Sequence, residues 1–192
     1  MKQRKTFPWK LLLLVALFPT SAITAEKELI QQMRAGEVVL MIRHALAPGI
    51  GDPADFKLDN CSTQRNLNEQ GRAQARAIGE WLRSRGIDNV KLYSSQWCRC
   101  LETARLMNLG IVTPLPALNS FFERPEDREP NLVALRNFIR DNTKPGELII
   151  MVTHQVTISG ITGKWTDSGH GKLVRPDPTG SIELLGELDF NG

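Results

Sequence analysis

The sequence predicts an α/β domain in which a mostly parallel sheet is covered by helices on both faces. Two apolar runs carry this prediction, Val38-Val39-Leu40-Met41-Ile42 and Leu148-Ile149-Ile150-Met151-Val152. Neither alternates with polar residues, as a strand exposed on one face would. Segments with apolar residues at helical spacing separate them from further short strand patterns. Each run leads to a histidine, His44 behind Arg43 and His154 behind Thr153. Ligands of open α/β sheets bind at the strand carboxyl edge, and an arginine directly before the first histidine points to an anion.

Taken in order, residues 1–25 have the layout of a secretory signal. Lys2, Arg4, Lys5 and Lys10 precede the apolar stretch Leu11 to Phe18, Pro19 ends it, and small residues around Ala22 to Ala25 offer a cleavage site. Eight apolar residues fall well short of the ~20 needed to span a bilayer, so removal of residues 1–25 and an exported, periplasmic location are expected, without a stable membrane span. Four of the 24 basic residues and none of the 21 acidic ones lie in this segment, so the mature 167 residues carry a net charge of −1. Nucleic-acid binding therefore loses its only global support. One domain, residues 26–192, accounts for the remainder.

Glu26 to Met33 reads as a short amphipathic helix ahead of the first strand, and Ala45 to Arg65, rich in Gly, Pro and Asp, as a loop over its carboxyl end. Asn68 caps a helix reaching Arg85, with an apolar stripe of Leu67, Ala73, Ala77, Ile78, Trp81 and Leu82 and a stop at Gly86. Val90 to Ser94 is a second strand. Gln96 to Met107 is a helix whose first turns carry Arg99, where a helix dipole would assist anion binding. Thr113 to Pro130 reads mostly as loop, and Asn131 to Asn142 as a third amphipathic helix. After His154 a helix over Gln155 to Ile161, an irregular stretch from Gly163 to Gly180 and a final strand at Ser181 to Leu185 complete the chain.

Three cysteines in an oxidising compartment make one disulfide and one spare thiol the natural arithmetic. Cys61 pairing with Cys98 or Cys100 is expected, since neighbours on one helix do not readily pair with each other. Three buried thiols are the alternative.

These pieces together resemble the histidine phosphatase superfamily, with its phosphoglycerate-mutase-like fold. The matching stretches are Met41-Ile42-Arg43-His44, the run Arg65 to Ala75, Leu92-Tyr93-Ser94-Ser95 with Arg99 and Glu102-Thr103-Ala104, and Val152-Thr153-His154. The resemblance implies a three-layer sandwich. It also implies that His44 is a nucleophile forming a phosphohistidine, while Arg43, Arg99 and His154 hold the phosphoryl group. The chemistry of the side chains agrees. Guanidinium groups match the spread charge of phosphoryl oxygens, and an imidazole attacks through an unprotonated nitrogen if a backbone carbonyl holds the other as a donor. A lone histidine would read as a core residue; two at strand ends beside Arg43 read as a site. His170 lacks that context and reads as a loop residue, or at most a substrate contact.

A phosphomonoesterase also needs a proton donor for its leaving group. The resemblance places an acid after the Arg99 helix, where Glu123, flanked by phenylalanines that would desolvate it, leads Glu126 and Asp127; a solvated acidic loop is the alternative. Arg65, with Gln64 and Lys57, is a candidate for the mouth of the site, and Glu102 reads as a helix residue. Ala45 stands where many members have glycine, which leaves the backbone freer and lets a ligand approach. Exported members similar to this chain, including phosphatases of lipopolysaccharide-core heptose phosphate, are read as carrying alanine there.

The expected activity is hydrolysis of a phosphomonoester, without metal or other cofactor, on a small molecule such as an envelope sugar phosphate. The alternative is an envelope protein that binds a phosphorylated sugar or lipid headgroup without turnover. Substrate identity and oligomeric state have no readable code in the sequence.

Overall fold

A computed structural model describes residues 20–177 and 179–190, with side chains from residue 25 onward. The signal expected over 1–25 therefore lies, except for the backbone of its last residues, outside the described residues. No helix among the described residues is long and apolar enough to cross a membrane.

Helix α1 (Thr20–Ala35) leads into β1 (Val38–Arg43), followed by α2 (Glu69–Ser84), β2 (Val90–Ser94), α3 (Cys98–Met107), β3 (Val112–Pro114), α4 (Arg128–Asn142), β4 (Leu148–Thr153), α5 (Gln155–Thr162), β5 (Gly171–Pro176) and β6 (Ile182–Leu188). The six strands form one sheet in the order β3-β2-β4-β1-β5-β6. The first four strands run parallel; β5 is antiparallel to β1 and to β6. This is the three-layer α/β sandwich that the sequence predicts.

The unbroken apolar runs are explained by what lies on each face. Val38, Leu40 and Ile42 of β1 and Leu148, Ile150 and Val152 of β4 pack into a core with α1, α2 and α3. The alternate residues, Val39, Met41, Ile149 and Met151, pack against α4 and α5. Every residue of β4 is buried. Desolvating both faces in this way contributes roughly 1.5–3 kcal/mol per large aliphatic side chain before entropy is counted.

Asn68 caps α2 by accepting a hydrogen bond from Gly71 N at 2.8 Å, and Gly86 at φ 70° follows the helix. The buried stripe runs through Gly71, Ala75, Ile78, Gly79 and Leu82, while Ala73 and Ala77, expected to face inward, are exposed. The stripe is set by the small residues. A Cβ at Gly71 would lie 2.0 Å from Leu46 O, so only glycine lets the first turn of α2 press against the loop after β1.

Three expectations are corrected. Thr113 to Pro130 is not simply loop, because Val112–Pro114 adds a three-residue edge strand beside β2. Proline is tolerated there since an edge strand has donors to spare. Gly163 to Gly180 contains β5, hidden by its terminal glycine and proline and by Lys172, which is buried yet reaches Glu187 Oε2 at 2.5 Å. Helix α4 starts three residues earlier than predicted, with Pro130 in its first turn, where a missing N–H costs no helical hydrogen bond. Helix α1, expected over Glu26 to Met33, begins at Thr20, within the segment expected to be removed; the remaining elements fall where the sequence places them, within a few residues.

Candidate active site

Because β1 and β4 are parallel neighbours with Arg43 opposite Thr153, His44 and His154 leave the sheet side by side. Their ring centroids are 5.5 Å apart, and His44 N bonds Thr153 O at 2.9 Å. His44 is 2 % exposed, and its Nδ1 lies 2.8 Å from the carbonyl oxygen of Ala45. Burial, followed by the charge of Arg99 and then of Arg65 and Arg43, outweighs that carbonyl and pushes the imidazole down to about 3. His44 is thus neutral, with Nδ1–H donating to Ala45 O and a lone pair on Nε2. The acceptor expected from chemistry is the carbonyl of the very next residue.

Ala45 needs no special backbone, since it is not among the positive-φ residues. Its N–H donates to Thr103 Oγ1 at 3.0 Å, and its methyl group packs with Ala47, Leu67 and Ala75. Glycine's freedom is not required at this position.

His154 Nε2 lies 2.8 Å from Ser95 Oγ, whose hydroxyl donates to Asn119 Oδ1 at 3.2 Å. Its Nδ1 is 3.5 Å from Arg99 Nη2. An arginine can only donate, so this network assigns the proton to Nε2 and leaves Nδ1 as an acceptor. Burial, then the charge of Arg99, holds this imidazole well below its usual range. Cys100, fully buried behind it with Sγ 3.5 Å from Nε2, is the free thiol; burial pushes it up to about 12, so it stays protonated. The disulfide is Cys61–Cys98.

Three arginines surround the histidines. Arg43 donates through Nη1 to Thr166 O at 3.0 Å and sits 5.7 Å from the centroid of Trp165. Arg65 is held through Nε by Gly51 O at 2.8 Å and through Nη1 by Ala47 O. Burial lowers the pKa of both below the ordinary value. Arg99, 3 % exposed, is gripped by Asp52, with Nη1 to Oδ1 at 2.8 Å and Nη2 to Oδ2 at 3.2 Å. The buried Nε atoms of Arg43 and Arg99 have no protein acceptor among the described residues.

Asp52 is absent from the sequence reading. Although burial raises its pKa, the hydrogen bonds and charge of Arg99, with Arg65 N and Trp97 Nε1, hold it below the ordinary carboxylate value. The available signal was an acid in a glycine-bounded loop above three arginines, which must find a cation. Ser95 was seen only as part of a strand end.

Glu123 lines the same cleft, and its Oε1 accepts from Asp52 N at 2.9 Å. It is exposed, however, and so is Phe122, while Phe121 is turned into the core on the α4 side. The flanking phenylalanines therefore do not desolvate it as expected. Glu126 and Asp127 lie outside the cleft lining; Asp127 pairs with Arg124 at 3.0 Å. Gln64 is structural, bonding Lys57 O, Leu58 O and Cys98 N, and Lys57 is exposed away from the lining. Glu102 accepts from Arg72 at 2.7 Å, as befits a helix residue. His170 approaches Asp189 at 3.6 Å and does not line the cleft.

The cleft has a volume of about 390 Å³. At its floor lie Arg43, His44, Arg99 and His154; around it stand Phe56, Trp97, Phe122 and Trp165. A neutral nucleophilic nitrogen beneath fixed guanidinium donors is an arrangement for transfer of an anionic group.

Comparison with known proteins agrees with this geometry. Residues 39–125 match the model of the histidine phosphatase superfamily, branch 1. No curated protein matches the chain in sequence. Among solved structures, the protein histidine phosphatase SixA complexed with tungstate is similar at 13 % identity and a TM-score of 0.56, covering 80 % of this chain and 97 % of that one. The phosphoserine phosphatase of Entamoeba histolytica in complex with 3-phosphoglyceric acid gives 14 % and 0.58, over 79 % and 96 % of the two chains. The alpha-ribazole phosphatase of Shigella flexneri gives 14 % and 0.54, over 77 % and 94 %. At these identities the likeness is one of fold.

Proposed function

Starting from the match of residues 39–125 to the histidine phosphatase superfamily model and the shared fold, we propose that the chain is a member of that superfamily, an exported phosphatase that hydrolyses a phosphomonoester through a phosphohistidine on His44, without a metal. The observation that carries this reading is the neutral His44, with Nδ1 held by Ala45 O, beside His154 and under Arg43 and Arg99.

In the first step Nε2 of His44 attacks phosphorus. The N–P bond forms as the bond to the ester oxygen breaks, and the departing oxygen takes a proton from Glu123. Arg43 and Arg99 neutralise the non-bridging oxygens, and Asp52 keeps Arg99 oriented before substrate arrives. His154 donates through Nδ1 only after taking a proton, which an arriving dianion favours. In the second step water attacks phosphorus, the N–P electrons return to Nε2, and the water proton passes to Glu123. Among the described residues no three His, Cys, Asp or Glu side chains gather as metal ligands would.

One observation favours the second reading, a protein that captures a phosphorylated sugar or lipid headgroup without turnover: Glu123, the candidate acid, is exposed and is not desolvated by its neighbouring phenylalanines. The deciding experiment is hydrolysis of p-nitrophenyl phosphate in EDTA by the wild type and His44→Ala, with rapid trapping of an acid-labile phosphoenzyme. Turnover and label that both vanish in the variant are expected. Absent turnover with retained vanadate binding selects the second reading. Cell fractionation, with the mass of the exported form, tests removal of residues 1–25.

A further inference from the structure

Five large hydrophobic side chains are exposed among the described residues, and three of them, Ile50 (89 %), Phe122 (55 %) and Trp165 (63 %), rim the catalytic cleft. They come from three separate loops and surround one opening. Inside the rim the wall continues with Phe56 stacked on Trp97, centroids 5.1 Å apart, and with Val156. Apolar surface left in water around a concave site marks the place where a ligand covers it.

The polar residues of the wall each hold at least one partner within the protein. Asp52 holds Arg99 and Trp97, and Glu123 accepts from Asp52 N. Arg65 is bound to Gly51 O and Ala47 O, and Arg124 to Asp127. Ser120 Oγ accepts from Phe122 N at 3.2 Å, and Gln155 Nε2 donates to Ser159 Oγ at 2.7 Å. A polyhydroxylated leaving group would meet a rim of Ile50, Phe122 and Trp165 that offers its hydroxyls no side-chain partner, which costs binding energy. An apolar body would lose nothing there.

We infer that the leaving group of the substrate is an apolar alkyl or aryl body of small-molecule size, not a sugar: the phosphoryl head sits on Arg43, His44, Arg99 and His154, and the body lies between Trp97, Phe122 and Trp165. The inference rests on the reading of the floor as a phosphoryl site. It replaces the envelope sugar phosphate expected from the sequence with an amphiphilic phosphomonoester.

Binding of n-alkylphosphonates from methyl to octyl, measured by calorimetry, tests this without requiring turnover. Affinity is expected to rise by up to about fourfold per methylene until the cleft is filled. Phe122→Ser and Trp165→Ser should each flatten that rise, whereas Ile111→Ser, at a still more exposed residue outside the cleft, should leave it as in the wild type. A flat series, no phosphonate binding, or tighter binding of glucose 6-phosphate than of hexylphosphonate overturns the inference. A rising series in a protein that forms no phosphoenzyme would keep the ligand class and discard the phosphatase reading, so the two failures are distinct.

Discussion

Asp52 holds Arg99 by both ends of its guanidinium, with the two side chains 7 % and 3 % exposed. The pair joins the loop after β1 to the first turn of α3. It settles the direction of the arginine nearest His154 before any substrate arrives. A buried ion pair adds little over an apolar alternative, but its rupture leaves an unpaired buried charge.

Asp52→Ala should therefore lower unfolding free energy by about 3–5 kcal/mol, read from urea unfolding at neutral pH. Because a negative charge leaves the phosphoryl site, vanadate should inhibit the folded variant more strongly. Unchanged stability would show that the carboxylate is solvated and does not hold Arg99.

Stability should fall as pH drops from 6.5, chiefly through the buried histidines. His44 has a folded value of about 3, so between that and the unfolded value near 6.5 the unfolded chain binds more protons. The stabilisation is complete above 6.5 and is lost as pH falls toward 3. At pH 5 the loss from His44 is about 2 kcal/mol. His154, also depressed, adds in the same direction. Urea midpoints at pH 7 and pH 5 check this, and His44→Asn should remove about one proton from the dependence; a pH-independent midpoint would contradict the burial argument.

Glu123→Gln should discriminate between leaving groups. An alkyl phosphate needs its departing oxygen protonated, so its kcat should fall by about 100-fold or more, while p-nitrophenyl phosphate, which leaves readily as an anion, should slow far less. Glu126→Gln and Asp127→Asn lie outside the cleft lining and should leave both rates within a factor of two. Equal slowing of both substrates by Glu123→Gln would remove it as the acid.

The disulfide ties Cys61, in the same loop as Asp52 and Arg65, to Cys98, the residue before Arg99. With a separation of 37 positions in sequence, Cys61→Ser should cost about 4 kcal/mol by the chain-entropy relation. Thermal unfolding with and without dithiothreitol measures it. The wild type should be shifted down by the reductant and the variant should not; a wild type insensitive to full reduction would show the crosslink to be idle.

The residues that a strand or helix delivers were readable in the sequence. Arg43 and His44 close one apolar run and His154 follows another, so the strand pattern places them at one sheet edge, whereas Arg99, on the first turn of a patterned helix, joins them mainly through the family resemblance. Asp52 and Ser95 were not readable as site residues, because their partners are reached across loops that have no period. Strand β5 was concealed for a different reason: Lys172 breaks its apolar character, and only the fold reveals that Glu187 receives that charge. Cysteine arithmetic left two pairings open, and helix geometry decides between them: Cys98 and Cys100 lie on opposite sides of the first turn of α3, and Cys100 is buried against His154.

The in-register pairing of β1 with β4 joins stretches of chain about 110 residues apart. Neither half of the polypeptide owns a phosphoryl pocket, and no local segment can assemble one early. The pocket comes into being only with a long-range loop closure, whose entropy cost must be met before the site exists. Recovery of activity on refolding should accordingly trail helix formation and coincide with the slowest phase of sheet assembly, making catalysis a sensor of the completed fold.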